Sequence, residues 1–245
     1  MLLTLDTLTP LGETSLISCL QSHLALRLPG ALPLADCERH ARGIYEARPR
    51  WNRDFDGEQF SLGRAWYTHL EQGKSNEYFA FARASDQLVE QFLPGLQGAA
   101  RNLLASLLDA HTAPRRGWCG PGVHIFPAGE WVARNGGVVH ADIEGLTEAH
   151  VAARAPALSA VLMLQPPEAG GGLRLWDRLH LVDDAIDPAL LADVPHLTVD
   201  YLAGDLILFD SYRLHQIQPF TGARDRLSVT THAARLRPGH WETWF

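Results

Sequence analysis

Lysine is nearly missing from this chain: of its 21 basic residues only Lys74 is Lys, a compositional habit that carries no functional weight. Basic residues are also outnumbered, 21 against 28 acids, for a net charge of −7. The overall positive field that draws proteins to nucleic acid or to an anionic membrane surface is therefore absent, and neither is expected as a partner. Cysteine is scarce as well. Cys19, Cys37 and Cys119 stand far apart with no C-x-x-C pair, which argues against a zinc site or a redox dithiol and points to a reducing, cytoplasmic compartment. No apolar run approaches the roughly 20 residues of a membrane span, the longest being pieces such as LSAVLML at 158–164. The opening segment MLLTLDTLTPLGETSLISCL has no basic stretch and is interrupted by Asp6, Pro10 and Glu13, so no signal peptide is expected and the mature chain should begin near Met1.

Other patterns are missing too. There is no internal repeat or low-complexity tract. Regular alternation of strand and helix is lacking, which disfavours a Rossmann sheet or a TIM barrel. Gly170-Gly171-Gly172 is followed by neither a G-K-[ST] nor a G-x-x-G completion, so it reads as a hairpin turn and not as a phosphate cradle.

What is present divides in two. Between residues 35 and 115 the apolar spacing is helical, clearest in Leu88, Phe92, Leu96, Leu103 and Leu107, with Pro94-Gly95 expected to split the run into two helices. From Cys119 onward come about nine short segments rich in β-formers. They are GVHIFP, EWVAR, GVVHAD, SAVLMLQ, GLRLWD, HLTVDY, DLILFD, RLHQIQP and DRLSVTTHA. With 245 residues, 46% of them hydrophobic, the chain can bury a core unaided. The expectation is an α+β fold in a single domain, 1–245, with a mainly helical part (1–117) packed against a jelly roll (118–245).

Chemistry concentrates in that second half. In Gly136-Gly137-Val138-Val139-His140-Ala141-Asp142, His140 and Asp142 stand two apart at a strand end and project from one face, so they can share one ligand. By itself H-x-D is a weak signal. After 72 intervening residues comes His215, and after ten more Arg226-Leu227-Ser228, where alternation sets Arg226 and Ser228 on one face and Leu227 and Val229 on the other.

H-x-D, a distant His and an R-x-S about ten residues later resemble the signature of the iron(II)- and 2-oxoglutarate-dependent dioxygenase superfamily, over roughly residues 119–235. The resemblance implies a double-stranded β-helix (a cupin-like jelly roll), with His140, Asp142 and His215 as Fe(II) ligands and Arg226 and Ser228 on the distal carboxylate of 2-oxoglutarate. It also implies O2 as co-reactant, release of succinate and CO2, and hydroxylation of an unactivated C–H bond. The residue types suit that chemistry: two imidazoles and a carboxylate on one face of an octahedral ion leave three adjacent open positions, and a buried carboxylate needs a cation. Related halogenases have Gly or Ala at the carboxylate position. Asp142 therefore implies oxygenation.

Several assignments stay open on sequence. Arg224 rivals Arg226 two residues earlier on the same face, His232 on that face either lies near the cosubstrate or fills the barrel, with filling favoured, and His124 reads as a core or pocket-wall residue. Arg64, Trp66, Tyr67 and His69 in the dense SLGRAWYTH segment, with Arg134 and Trp176, are candidates for contact with the substrate. A looser similarity to compact bacterial hydroxylases of small metabolites suggests a small polar substrate such as a free amino acid. Arg64, Arg134 or Arg174 would meet its carboxylate, and Glu130 or Asp177 its amine. The competing reading is a metal-binding jelly roll without oxygenase activity, a sensor or binding module, against which the R-x-S pair argues.

Overall fold

The computed structural model describes residues 1–180 and 186–245. Its first part carries strands β1 (Leu2–Thr4), β2 (Ala25–Leu28), β3 (Asn52–Asp54), β4 (Gln59–Leu62) and β5 (His111–Pro114), interleaved with helices α1 (Glu13–Ser22), α2 (Leu34–Glu46), α3 (Trp66–Glu71), α4 (Ser75–Phe92) and α5 (Leu96–Leu108). Then follow β6 (Gly122–Phe126), α6 (Trp131–Asn135), α7 (Glu148–Ala153), β7 (Ala157–Gln165), β8 (Ala169–Gly170), β9 (Leu173–Leu179), β10 (His196–Val199), β11 (Leu206–Asp210), β12 (Arg213–Ile217), β13 (Phe220–Thr221), β14 (Arg226–Arg237) and β15 (His240–Trp244). No described helix is long and apolar enough to cross a membrane.

The large sheet runs β1-β2-β11-β7-β14-β6-β4-β3, with β15 joining β14 to β5. A three-stranded sheet, β10-β9-β12, faces it, and β13 pairs with β8. The chain is thus a mixed α/β fold built on two opposed sheets, consistent with a jelly roll. Alternation along the central strands explains the layering. Leu158, Ala160, Leu162 and Leu164 of β7, with Leu206 and Leu208 of β11, face a core shared with α1, α2 and α5. Val161, Met163, Ile207 and Phe209 face the smaller sheet, packing on Leu173 and Leu175.

The first half is less purely helical than expected, because β1 to β4 extend the large sheet at both edges. These strands are three or four residues long, too short to show a period. The break at Pro94-Gly95 separates α4 from α5 as expected, with Gly95 at φ 78°. EWVAR forms α6 and not a strand, burying Val132 and Ala133 against Phe126 and Phe220. Five residues of apparent alternation are equally one helical turn. GVVHAD makes only a single bridge, His140 to His215, and the triple glycine is no hairpin turn, since β8 and β9 lie in different sheets. The HWETW segment is strand β15, with Trp241 and Trp244 buried. All three cysteines are free thiols.

Asp54 on β3 is 2% exposed and accepts a hydrogen bond from Ser61 Oγ at 2.8 Å. Burial pushes its carboxyl up to about 6. The folded chain therefore holds this proton more tightly than the unfolded chain, so its ionisation costs stability above about pH 6 and nothing below the unfolded value. Asp54→Asn should raise the unfolding free energy by up to ~3 kcal/mol at pH 8 and barely change it near pH 4. Urea melts at the two pH values check this; equal shifts would exclude the buried charge as the cause.

Candidate metal centre and cavity

A cavity of about 260 Å³ opens between the two sheets, and His140, Asp142, His215, Arg226 and Ser228 all line it. Backbone pairing sets the first three. His140 N–H donates to His215 O at 3.1 Å and His215 N–H to His140 O at 2.9 Å, fastening the 140 segment beside β12. Each ring then turns its Nδ1 to a carbonyl two residues back, His140 to Val138 and His215 to Arg213, both at 2.9 Å. A ring nitrogen facing a carbonyl must be the N–H donor, so each Nε2 is left to face Asp142. Asp142 Oδ1 lies 3.5 Å from His140 Nε2, and its Oδ2 lies 3.5 Å from His215 Nε2.

One ligand atom from each residue falls within 4.8 Å of the others. Adjacent ligands about 2.1 Å from a metal ion sit roughly 3 Å apart, so a small contraction would bring the three onto one ion. Charge favours a cation here. Burial alone would depress His140, but the Asp142 carboxylate outweighs it and pushes the imidazole up to about 9. His215 shares that carboxylate yet is pushed down to about 4, by burial first and by the His140 charge as well. Burial would raise Asp142, but His215, His232 and His140 hold it well below the usual carboxylate range.

On β14 the polar row Arg226, Ser228, Thr230 and His232 faces the cavity, while Leu227, Val229 and Ala233 face the helices. Arg226 is 1% exposed, donates from Nη1 to Ser228 Oγ at 2.9 Å and from Nε to Gly171 O at 3.1 Å, and lies between the rings of Phe126 and Tyr201. Among the described residues no carboxylate pairs with it. A buried guanidinium without a counter-ion is costly, and burial lowers its affinity for its proton. Arg224 instead reaches Pro167 O at 3.4 Å and does not line the cavity.

His232 stands closer to the centre than a barrel-filling residue, its Nδ1 3.8 Å from Asp142 Oδ2 and 3.3 Å from Ser159 Oγ. His124, opposite Ser228 in the β6–β14 ladder, also lines the cavity, and burial pushes it down to about 3.

Of the expected substrate contacts only Tyr67 reaches the cavity, where its hydroxyl accepts from Gln59 Nε2 at 2.5 Å. Trp66 donates to Glu144 O at 2.9 Å and packs among Tyr78, Phe79 and Trp118. Arg64 and His69 bond to each other at 2.7 Å, outside the cavity. Arg134 is exposed and bonds Gly129 O, while Trp176 and Arg174 line a shallow cleft on the outer side of the three-stranded sheet. Glu130 and Asp177 do not line the cavity either. Sequence reasoning missed Phe55, Glu58, Glu71 and Glu144, which do. For Glu144 a signal existed: it extends the period of two from His140 and Asp142. Burial, with the Asp142 charge, pushes its carboxyl up to about 7.

No family model and no curated protein sequence matches the chain. Solved structures do. The N-substituted L-amino acid dioxygenase of Burkholderia ambifaria AMMD superposes with a TM-score of 0.57 at 14% identity, over 96% of this chain and 92% of that one. The non-haem alpha-ketoglutarate-dependent epimerase SnoN of nogalamycin biosynthesis gives 0.56 at 16%, over 91% and 86%. AviO1 of Streptomyces viridochromogenes Tue57 gives 0.58 at 14%, over 94% and 98%. The fold is that of the 2-oxoglutarate-dependent oxygenases. Within this oxygenase fold, the donor set of the cavity fits a divalent first-row metal.

Asp142→Ala should weaken binding of Mn(II) or Fe(II), measured anaerobically by calorimetry, by more than the roughly 10–100-fold that loss of an outer-shell partner costs. Unchanged affinity would place the metal elsewhere.

Proposed function

We propose that the protein is an Fe(II)- and 2-oxoglutarate-dependent oxygenase that hydroxylates a C–H bond of a small polar molecule. The observation that carries this reading is the meeting, in one cavity, of the His140, Asp142 and His215 donors with a buried Arg226 that has no counter-ion among the described residues. A bare metal site has no use for such a cation. When bound, the iron and the 2-oxo acid would let O2 act as oxidant, one oxygen atom going to the cosubstrate as it loses CO2 to become succinate and the other to the substrate.

The chain's own residues would do the rest. The carbonyls of Val138 and Arg213 hold both imidazoles in the tautomer that offers Nε2. Arg226, steadied by Ser228 and Gly171 O, would meet the distal carboxylate of the cosubstrate and exclude water from it. Phe126, Leu173, Val161 and Ile217 supply apolar wall between the polar ends. Asp142 fills the ligand position that halogenases leave to a halide, which supports oxygenation. A free amino acid would need a second cation for its carboxylate, and Arg64, Arg134 and Arg174 all lie outside the cavity.

Anaerobic addition of Fe(II) and 2-oxoglutarate should produce the weak visible charge-transfer band near roughly 500 nm of a bidentate 2-oxo acid on iron. Bound metal without that band would favour a metal-binding jelly roll lacking oxygenase activity.

Arg226→Met keeps most of the side-chain volume and removes the charge. It should weaken 2-oxoglutarate binding roughly 100-fold while leaving the thermal midpoint unchanged or higher. A lowered midpoint with unchanged 2-oxoglutarate affinity would make Arg226 structural.

A further inference from the structure

The cavity has a strong asymmetry of charge. Its inner end carries the Arg226 guanidinium, and beyond the candidate metal-binding triad every other charged residue that lines it, among the described residues, is a carboxylate: Glu58, Glu71 and Glu144. Glu58 sits just before β4 and Glu71 closes α3, both exposed, while Glu144 is half-buried two residues past Asp142. No ion pair joins any of the three among the described residues, and the only hydrogen bond to one of their carboxyls comes from the backbone N–H of Glu144 itself. Like charges gathered without partners are unfavourable unless something positive joins them.

A second and independent observation comes from His124. It is 7% exposed, lines the same cavity, and has no hydrogen-bond partner at either ring nitrogen among the described residues, Nδ1 being fully enclosed. Buried polar groups in folded proteins are nearly always paired, so an unpaired imidazole in a cavity wall marks a place where a ligand supplies the partner. Burial keeps this ring neutral, and a neutral imidazole can accept from an N–H donor. The walls next to the acids are aromatic: Phe55 and Tyr67 line the cavity with ring centroids 6.3 Å apart. Aromatic faces beside carboxylates suit an ammonium or alkylated ammonium group.

We propose that the outer part of the cavity binds a protonated amine, so that the substrate is a cationic molecule with no free carboxylate of its own to place. This rests on the oxygenase reading for the word substrate, but the cation site itself does not require it. The carboxylate of an amino acid would find only acids there once 2-oxoglutarate held Arg226, whereas an amine, an amino-acid amide or ester, or an amino sugar would be matched.

The test compares phenethylamine with its neutral near-isostere 2-phenylethanol. Calorimetric titrations use the protein as purified and the protein loaded with Mn(II) and 2-oxoglutarate. The amine should bind roughly five- to tenfold more tightly than the alcohol, and Glu58→Gln/Glu71→Gln should erase most of that difference. Both replaced side chains are exposed, so the variant should keep the wild-type melting temperature and the Fe(II)–2-oxoglutarate band. Equal affinities, absence of saturable amine binding, or a preference that survives the double replacement each overturn the proposal. A preference for the amine without the charge-transfer band would retain the cation site and reject the oxygenase reading; the band without the preference would do the reverse.

Discussion

The register of β14 is the constraint on which the rest depends. This 12-residue strand pairs with β7 on one side and β6 on the other, and its odd and even positions face opposite sides of the sheet. Leu227, Val229 and Ala233 fill the helix-side core, while Arg226, Ser228, Thr230 and His232 face the cavity. A slip of one residue would exchange the two sets, forcing a guanidinium and an imidazole into apolar packing and exposing the core row to the site. The apolar row thus holds the polar row in place, and fold and site share one energetic origin.

The candidate metal site depends on a second, smaller constraint. Backbone hydrogen bonds, the reciprocal His140–His215 pair together with Gly137 N–H to Ile217 O at 2.9 Å and Asp142 N–H to Ser211 O at 2.8 Å, bring two segments 75 positions apart into contact. Because each imidazole also donates to its own backbone two residues back, both rings are oriented by main chain and not by neighbouring side chains. Such orientation survives changes in the surrounding residues. It also explains why Asp142, two residues past His140, falls where both Nε2 atoms can face one carboxylate.

How much of this was legible in the sequence follows from which interactions are periodic. The two faces at the start of β14 could be read because polar and apolar residues alternate there, whereas β7 and β11 are apolar on both faces and were legible as strands only. The same alternation selects Ser228 and Arg226, and the end of pairing at Arg226 separates it from Arg224, whose backbone lies outside the ladder. The short strands β1 to β4 were hidden because three or four residues show no period. That Arg64, Trp66 and His69 lie outside the cavity was not legible, because a segment dense in aromatic and polar groups looks the same whether it packs on itself or faces a cavity. Here Trp66 joins Tyr78, Phe79 and Trp118, and only Tyr67 turns inward. Glu58 and Glu71 were invisible because tertiary contacts between distant elements bring them to the cavity.

The cavity is assembled from two sources. Its floor comes from the long strands of the second half and the His140 bridge, whereas Phe55, Glu58, Gln59, Tyr67 and Glu71 come from a single stretch of the first half, between β3 and the end of α3. Much of one wall and the donors of the candidate metal site opposite it are therefore carried on separate lengths of chain, joined through one edge of a sheet. An evolutionary lineage could rewrite the first without disturbing the second, so that diversification of diet among relatives of this chain should be concentrated in some twenty residues that contribute nothing to the strands of the metal centre.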